Sequence, residues 1–192
     1  MKNNFLLTVL IVLIGYTGIA ANSGDTATSE ACFLLSEDTD VREIISTIIA
    51  YTGLCPNFEV READVKNAKA AIRDKKRVIL YNKEYIAKLN RKSRTYWAGV
   101  SVLAHELGHH LNGHTVSYDK SDLEAELEAD QFAGYILRKL GASLEEAQAA
   151  IRTVGREHET ESHPGKGSRL NAIRKGWTSA DLQLVKSMSS GL

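Results

Sequence analysis

Residues 97–109 read Trp-Ala-Gly-Val-Ser-Val-Leu-Ala-His-Glu-Leu-Gly-His, and this stretch limits the fold more than any other. Its apolar first part suits a helix buried on most sides, so other elements must wrap it. Its last turn carries three ionisable side chains, which a buried helix tolerates only where each finds a partner. Positions i and i+4 share a helix face, so His105 and His109 project side by side. Two neutral imidazoles so placed can grip one Zn²⁺, and Glu106 can reach a water held by that metal. All six histidines (105, 109, 110, 114, 158 and 163) fall in the second half of the chain, around this segment.

A catalytic zinc generally takes three protein ligands and keeps a position open. A third histidine in the pattern H-E-x-x-H-x-x-G-x-x-H would fall at 115, which is Thr115, with Asn112 where the glycine belongs. His114 is one step off, a turn of about 100° on a continuing helix, and is a poor ligand candidate. His110 and His114 read as solvated or supporting residues. The other source is the acidic stretch Glu124-Ala125-Glu126-Leu127-Glu128-Ala129-Asp130. Glu126 and Asp130 share a face at i, i+4: one can bind metal while the other orients a zinc-bound imidazole through its free N–H. Glu124 and Glu128 read as a solvated acidic face. The small Ala125 and Ala129 would let this helix approach the histidine helix closely.

The 192 residues fit one domain, and 43% hydrophobic content is ample for a core. Lys+Arg and Asp+Glu both number 24, so the formal charge is zero and nothing points to nucleic acid or a polybasic membrane surface. The beginning differs in kind. Met1-Lys2-Asn3-Asn4 precedes an apolar run from Phe5 to about Ala20, with small residues after it. Residues 1–20 therefore read as a signal peptide and the chain as exported, to the periplasm or the medium. The rival is an uncleaved N-terminal anchor; the run is short for a span and its end holds Gly15, Tyr16, Thr17 and Gly18. With the signal removed, no stable membrane span is expected.

Residues 21–36 read as a flexible leader and 37–192 as a single domain. Export allows Cys32 and Cys55 to pair, closing a loop around an amphipathic helix over 37–52 with Val41, Ile44, Ile45, Ile48 and Ile49 on one face. Two buried free thiols are the alternative.

Phe58–Glu62 alternates like a half-buried strand, and 69–72 and 77–81 flank the charged turn Arg73-Asp74-Lys75-Lys76 as a hairpin. Helices are expected over 83–90, 96–112 (stopped by Asn112-Gly113), 122–140 (ending at Gly141) and 144–154, the last capped by Ser143. A Gly/Pro/His loop spans 155–167, and polar-faced helical segments follow. The pattern is α+β: a small antiparallel sheet packed on a helical majority.

His105-Glu106-Leu107-Gly108-His109 followed by Glu126-Leu127-Glu128-Ala129-Asp130 resembles the gluzincin peptidases of the HtpX and CAAX prenyl protease (Ste-type) family, whose pattern is H-E-x-x-H then E-x-x-A-D. Ser162-His163-Pro164 with Arg169 six residues past the histidine resembles a downstream block of the same family. The likeness covers about residues 57–175. The short interval between His109 and Glu126 leaves no room for the membrane segments some relatives insert, and the Cys32–Cys55 region has no counterpart in it.

The resemblance implies a zincin-like fold and one Zn²⁺ per chain on His105, His109 and Glu126. It makes Asp130 the carboxylate behind a ligand, most readily His105. The implied activity is metalloendopeptidase cleavage of a protein or peptide substrate by Glu106-assisted attack of a zinc-bound water. His163 would lie against the oxyanion, and Arg169 would fix that loop or contact substrate. The strand 77–81 would pair with extended substrate by its edge. The alternatives are zinc-dependent hydrolysis of cell-wall amides and a non-catalytic zinc-containing binding or chaperone module; a retained Glu106 argues against the last, since a structural zinc has no use for a general base.

Overall fold

The computed structural model describes residues 40–116 and 122–190. The expected signal peptide, leader and Cys32 lie outside the described residues; Cys55, the expected partner of Cys32, is exposed. The described residues form seven helices and one three-stranded sheet: α1 (Val41–Thr52), β1 (Phe58–Glu62), β2 (Ala68–Arg73), β3 (Lys76–Tyr81), α2 (Lys83–Ser93), α3 (Trp97–Leu111), α4 (Asp122–Lys139), α5 (Leu144–Ala147), α6 (Ala149–Val154) and α7 (Lys166–Ser190). The mixed, mostly helical class expected from the sequence is the one observed. None of the described helices is long and apolar enough to cross a membrane.

The sheet corrects one expectation. Its order is β1-β3-β2, with β2 antiparallel to β3 but β1 parallel to it, so the sheet is mixed rather than antiparallel. Asp74 and Lys75, both at positive φ (51° and 63°), make the tight turn between β2 and β3. That hairpin returns the chain into the gap between β1 and β2, and β3 becomes the central strand. Its buried Val78 and Ile79 are the physical reason: the most continuous apolar strand takes the position covered on both sides. The strand 77–81 therefore has no open edge, and the edge strands are β1 and β2.

α3 is the axis of the molecule. It packs against α1, α2, α4, α5, α6, β2 and β3. Trp97, Val100, Leu103, Ala104 and Leu107 are buried there with Ile44, Ile45, Ile48 and Ile49 of α1, Ile79 of β3 and Ile136, Leu137 and Leu140 of α4. Asp40 caps α1, its side chain accepting from the Arg42 N–H, and Ser143 and Glu146 form a reciprocal capping box at α5. The helix expected over 144–154 is broken at Gln148. The Gln148 side chain turns inward to donate to the Leu170 carbonyl (2.7 Å) and to accept from Arg152 (2.8 Å), which ties the break to α7.

Two close approaches set the register of α4. A Cβ at Gly108 would lie 3.1 Å from the Cα of Ala129, so α3 and α4 meet along Gly108–Ala129, as small residues at 125 and 129 suggest. On the far side of α4, Gly134 and Gly176 let the backbones of α4 and α7 touch: a Cβ at Gly134 would stand 2.0 Å from the Ile173 carbonyl oxygen. α4 is thereby wedged between α3 and α7, the elements that carry the rest of the site.

Candidate metal centre

α3 presents His105, Glu106 and His109 at its C-terminal end, and α4 brings Glu126 and Asp130 alongside. His105 Nε2 and His109 Nε2 are 3.1 Å apart; Glu126 stands 3.4 Å from the first through Oε2 and 3.2 Å from the second through Oε1. These three residues offer ligand atoms within 4.8 Å of one another, the one such cluster of three or more among the described residues. A tetrahedral ion bonded at about 2.0–2.1 Å holds its donors about 3.3 Å apart, so the spacing fits. Glu126 Oε2 is buried and accepts no hydrogen bond, an orphan that a cation would satisfy. Charge fits too: with neutral imidazoles, Glu106, Glu126, Asp130 and Arg169 leave two negative charges, which a divalent ion balances.

Asp130, read from the resemblance as the carboxylate behind His105, lies against that ring. Its Oδ1 is 2.9 Å from His105 Nδ1, so His105 donates there and turns Nε2 toward His109 and Glu126. Arg169, on the first turn of α7, donates to both Asp130 oxygens (Nε to Oδ2 2.7 Å, Nη2 to Oδ1 2.8 Å). Arg169 thus grips the carboxylate behind His105. The burial of His105 opposes its charged form, but the Asp130 and Glu126 carboxylates outweigh this and raise its pKa to about 10. Burial pushes the Glu126 and Asp130 carboxyls up. The His105 and His109 rings for Glu126, and Arg169 for Asp130, overcome it and hold both acids below their ordinary range.

Glu106 accepts a 2.6 Å hydrogen bond from the backbone N–H of Ala70. This contact identifies β2 as the edge strand that faces the site. In an antiparallel pair successive residues turn their N–H and C=O alternately toward and away from the neighbour, so Ala70 and Ile72 share the open side.

His163 enters on the loop between α6 and α7. The loop is closed by the Thr160 N–H donating to the His163 carbonyl (2.9 Å) and the Lys166 N–H to the Arg156 carbonyl (2.7 Å). His163 Nδ1 pairs with the Ser162 hydroxyl at 2.8 Å, and Nε2 lies 3.7 Å from Glu126 Oε2, on the site side of a half-exposed ring. A groove of about 550 Å³ runs past it, lined by Lys66, Asn67, Tyr85, Arg156, His163 and Arg169 among others.

Of His110 and His114, expected as solvated or supporting residues, neither stands free in solvent. His110 is not solvated: it is fully buried, with Nε2 2.9 Å from the Val78 carbonyl, Nδ1 3.1 Å from the Thr115 hydroxyl, and its ring stacked on Phe58. It ties α3 to the sheet, and burial pulls its pKa down. His114 is not a ligand, yet its Nδ1 is 3.0 Å from His109 Nδ1, and its Nε2 is 3.0 Å from Glu128 Oε2. The helix-register argument misses this because α3 stops at Leu111. Gly113 (φ 78°) turns the chain, and the N–H groups of His114 and Gly113 bond back to the carbonyls of His109 and His110. Such a C-terminal cap folds the second residue past the cap onto the last turn. The Asn112-Gly113 stop signal was the clue.

No family model, curated protein or solved structure matches this chain.

Proposed function

We propose that the chain is a zinc-dependent metalloendopeptidase of zincin-like, glutamate-ligand type, with His105, His109 and Glu126 holding the metal. The observation that carries the reading is the convergence of those three donors at tetrahedral spacing with Glu106 alongside. A structural zinc site is closed by four protein ligands. Among the described residues three converge, beside a groove, with the Glu106 carboxylate alongside.

A bound zinc ion supplies Lewis acidity toward a carbonyl and acidifies the water it holds. The protein's own residues do the rest. Glu106 takes the proton from the attacking water and delivers it to the leaving amine nitrogen. The Ala70 N–H holds the Glu106 carboxylate in place. His163 Nε2 donates to the oxygen of the tetrahedral adduct, steadied from behind by Ser162. Asp130, gripped by Arg169, keeps the His105 ring oriented. Extended substrate pairs with the open edge of β2 through the Ala70 carbonyl and the Ile72 N–H and carbonyl, the Ala70 N–H being held by Glu106, which reads backbone more than side chain and favours an unfolded segment of protein.

The test is Glu106→Gln in purified protein. Zinc content should stay at one per chain while cleavage of a casein or peptide-library substrate drops by at least about 100-fold, the usual scale of a lost general base. Undiminished cleavage, or wild-type protein that takes up no zinc, would sink the reading.

A further inference from the structure

The two histidine ligands are supported differently. His105 leans on a carboxylate sealed inside the molecule: Asp130 is 2% exposed and paired to Arg169. His109 leans on another imidazole, His114, whose far nitrogen meets Glu128 at the surface. His114 is 7% exposed and Glu128 35%, so the chain runs from the ligand outward.

We propose that His114 and Glu128 form a positioning relay that locks His109 as a metal ligand. This rests on the assignment of His105, His109 and Glu126 to the metal. The hydrogen-bond logic admits one arrangement of protons. If His109 turns the Nε2 lone pair to the metal, its proton is on Nδ1 and is donated to His114 Nδ1. His114 then carries its proton on Nε2 and donates it to Glu128 Oε2. Every donor meets an acceptor, whereas the opposite tautomer of His109 would set its bare Nδ1 against the bare Nδ1 of a His114 that donates to Glu128.

The backbone builds the relay from two sides. The Gly113 turn folds His114 over His109. α4, pressed on α3 at Gly108–Ala129, carries Glu126 on one flank of that contact and Glu128 on the other. At about 100° per residue, Ala129 falls between the two glutamates around the helix. One short acidic stretch therefore supplies a ligand for the ion and the anchor for the relay.

The experiment measures zinc affinity by competition with a chromogenic chelator, with the metal-free melting temperature recorded for each variant. His114→Ala should bind zinc about 10–100-fold more weakly than wild type, the usual scale for loss of such support. Glu128→Ala should weaken it by a smaller factor. His114→Asn, whose Oδ1 takes the place of the imidazole Nδ1 as acceptor, should return affinity to within about fivefold of wild type, and it keeps the test open if the alanine variant fails to fold. The cobalt-substituted His114→Ala protein should show a shifted d–d absorption spectrum, which a lost packing contact remote from the metal would not produce.

Zinc affinity in His114→Ala within about twofold of wild type, or equal weakening in the alanine and asparagine variants, would overturn the relay. Wild-type protein that binds no zinc would instead overturn the metal assignment beneath it.

Discussion

Asp130→Asn is the sharpest perturbation available, because one side chain serves two partners. Asp130 is 2% exposed, accepts two hydrogen bonds from Arg169 at 2.7 and 2.8 Å, and faces His105 Nδ1 at 2.9 Å. Asparagine keeps the shape, loses the charge and sets an NH₂ against a guanidinium N–H. Arg169, itself only 14% exposed, is left without its carboxylate. Removing one partner of a buried ion pair costs roughly 3–5 kcal/mol. At about 2–4 °C per kcal/mol for a domain of this size, the melting temperature in chelator should fall by roughly 6–20 °C. Zinc affinity should drop by about 10–100-fold at the same time, since the carboxylate that orients His105 becomes a neutral amide with a single acceptor shared between His105 and Arg169.

The double variant Asp130→Asn/Arg169→Met separates the two roles. With the orphan cation gone, part of the lost melting temperature should return, while zinc affinity stays low. Thermal melts in chelator and zinc titrations of wild type, both single variants and the double variant complete the cycle. A melting temperature for Asp130→Asn within about 1 °C of wild type, or strictly additive losses in the double variant, would refute the reasoning.

Two further outcomes follow from the same geometry. Gly134→Ala and Gly176→Ala would each drive a Cβ to within 2.0 and 1.8 Å of backbone oxygens on the facing helix. Each should cost about 1–3 kcal/mol or more by denaturant unfolding and lower zinc affinity too, because α4 and α7 carry the two halves of the Asp130–Arg169 pair. In the metal-free protein the His105 pKa is raised above its ordinary value of 6.5 to about 10. The stability it confers is fully present below 6.5 and is lost as pH rises toward 10. Melts in chelator at pH 6, 8 and 10 should show this decline, and Asp130→Asn should flatten it; an equal decline in both proteins would disprove the assignment to His105.

The chain itself announces its buried helix, its helix stops and the i, i+4 pair of histidines, because these rest on local periodicity and local hydrogen bonding. The cap at Ser143 and the end of α3 at Asn112-Gly113 were legible for that reason. Glu126 and Asp130 were legible as a pair on one face, and the small residues beside them as a close-contact line. Strand order was not. Alternation at Phe58–Glu62 marks a strand but not its neighbour, so the placing of β3 between β1 and β2 waited on the fold.

Residue types and spacings along the sequence thus determine that two imidazoles share a helix face and that an acidic helix follows. Spacing alone leaves open which partner each carboxylate meets, and the tertiary structure decides it. Glu126 meets both Nε2 atoms, Asp130 meets His105 and Arg169, and Glu128 meets His114 at the surface. It also decides that β2 offers its open edge to Glu106. The physical reason is range: a helix period fixes direction around an axis, whereas the identity of a partner depends on how close two axes come. That distance is set by Gly108 on Ala129 and by Gly134 and Gly176 between α4 and α7.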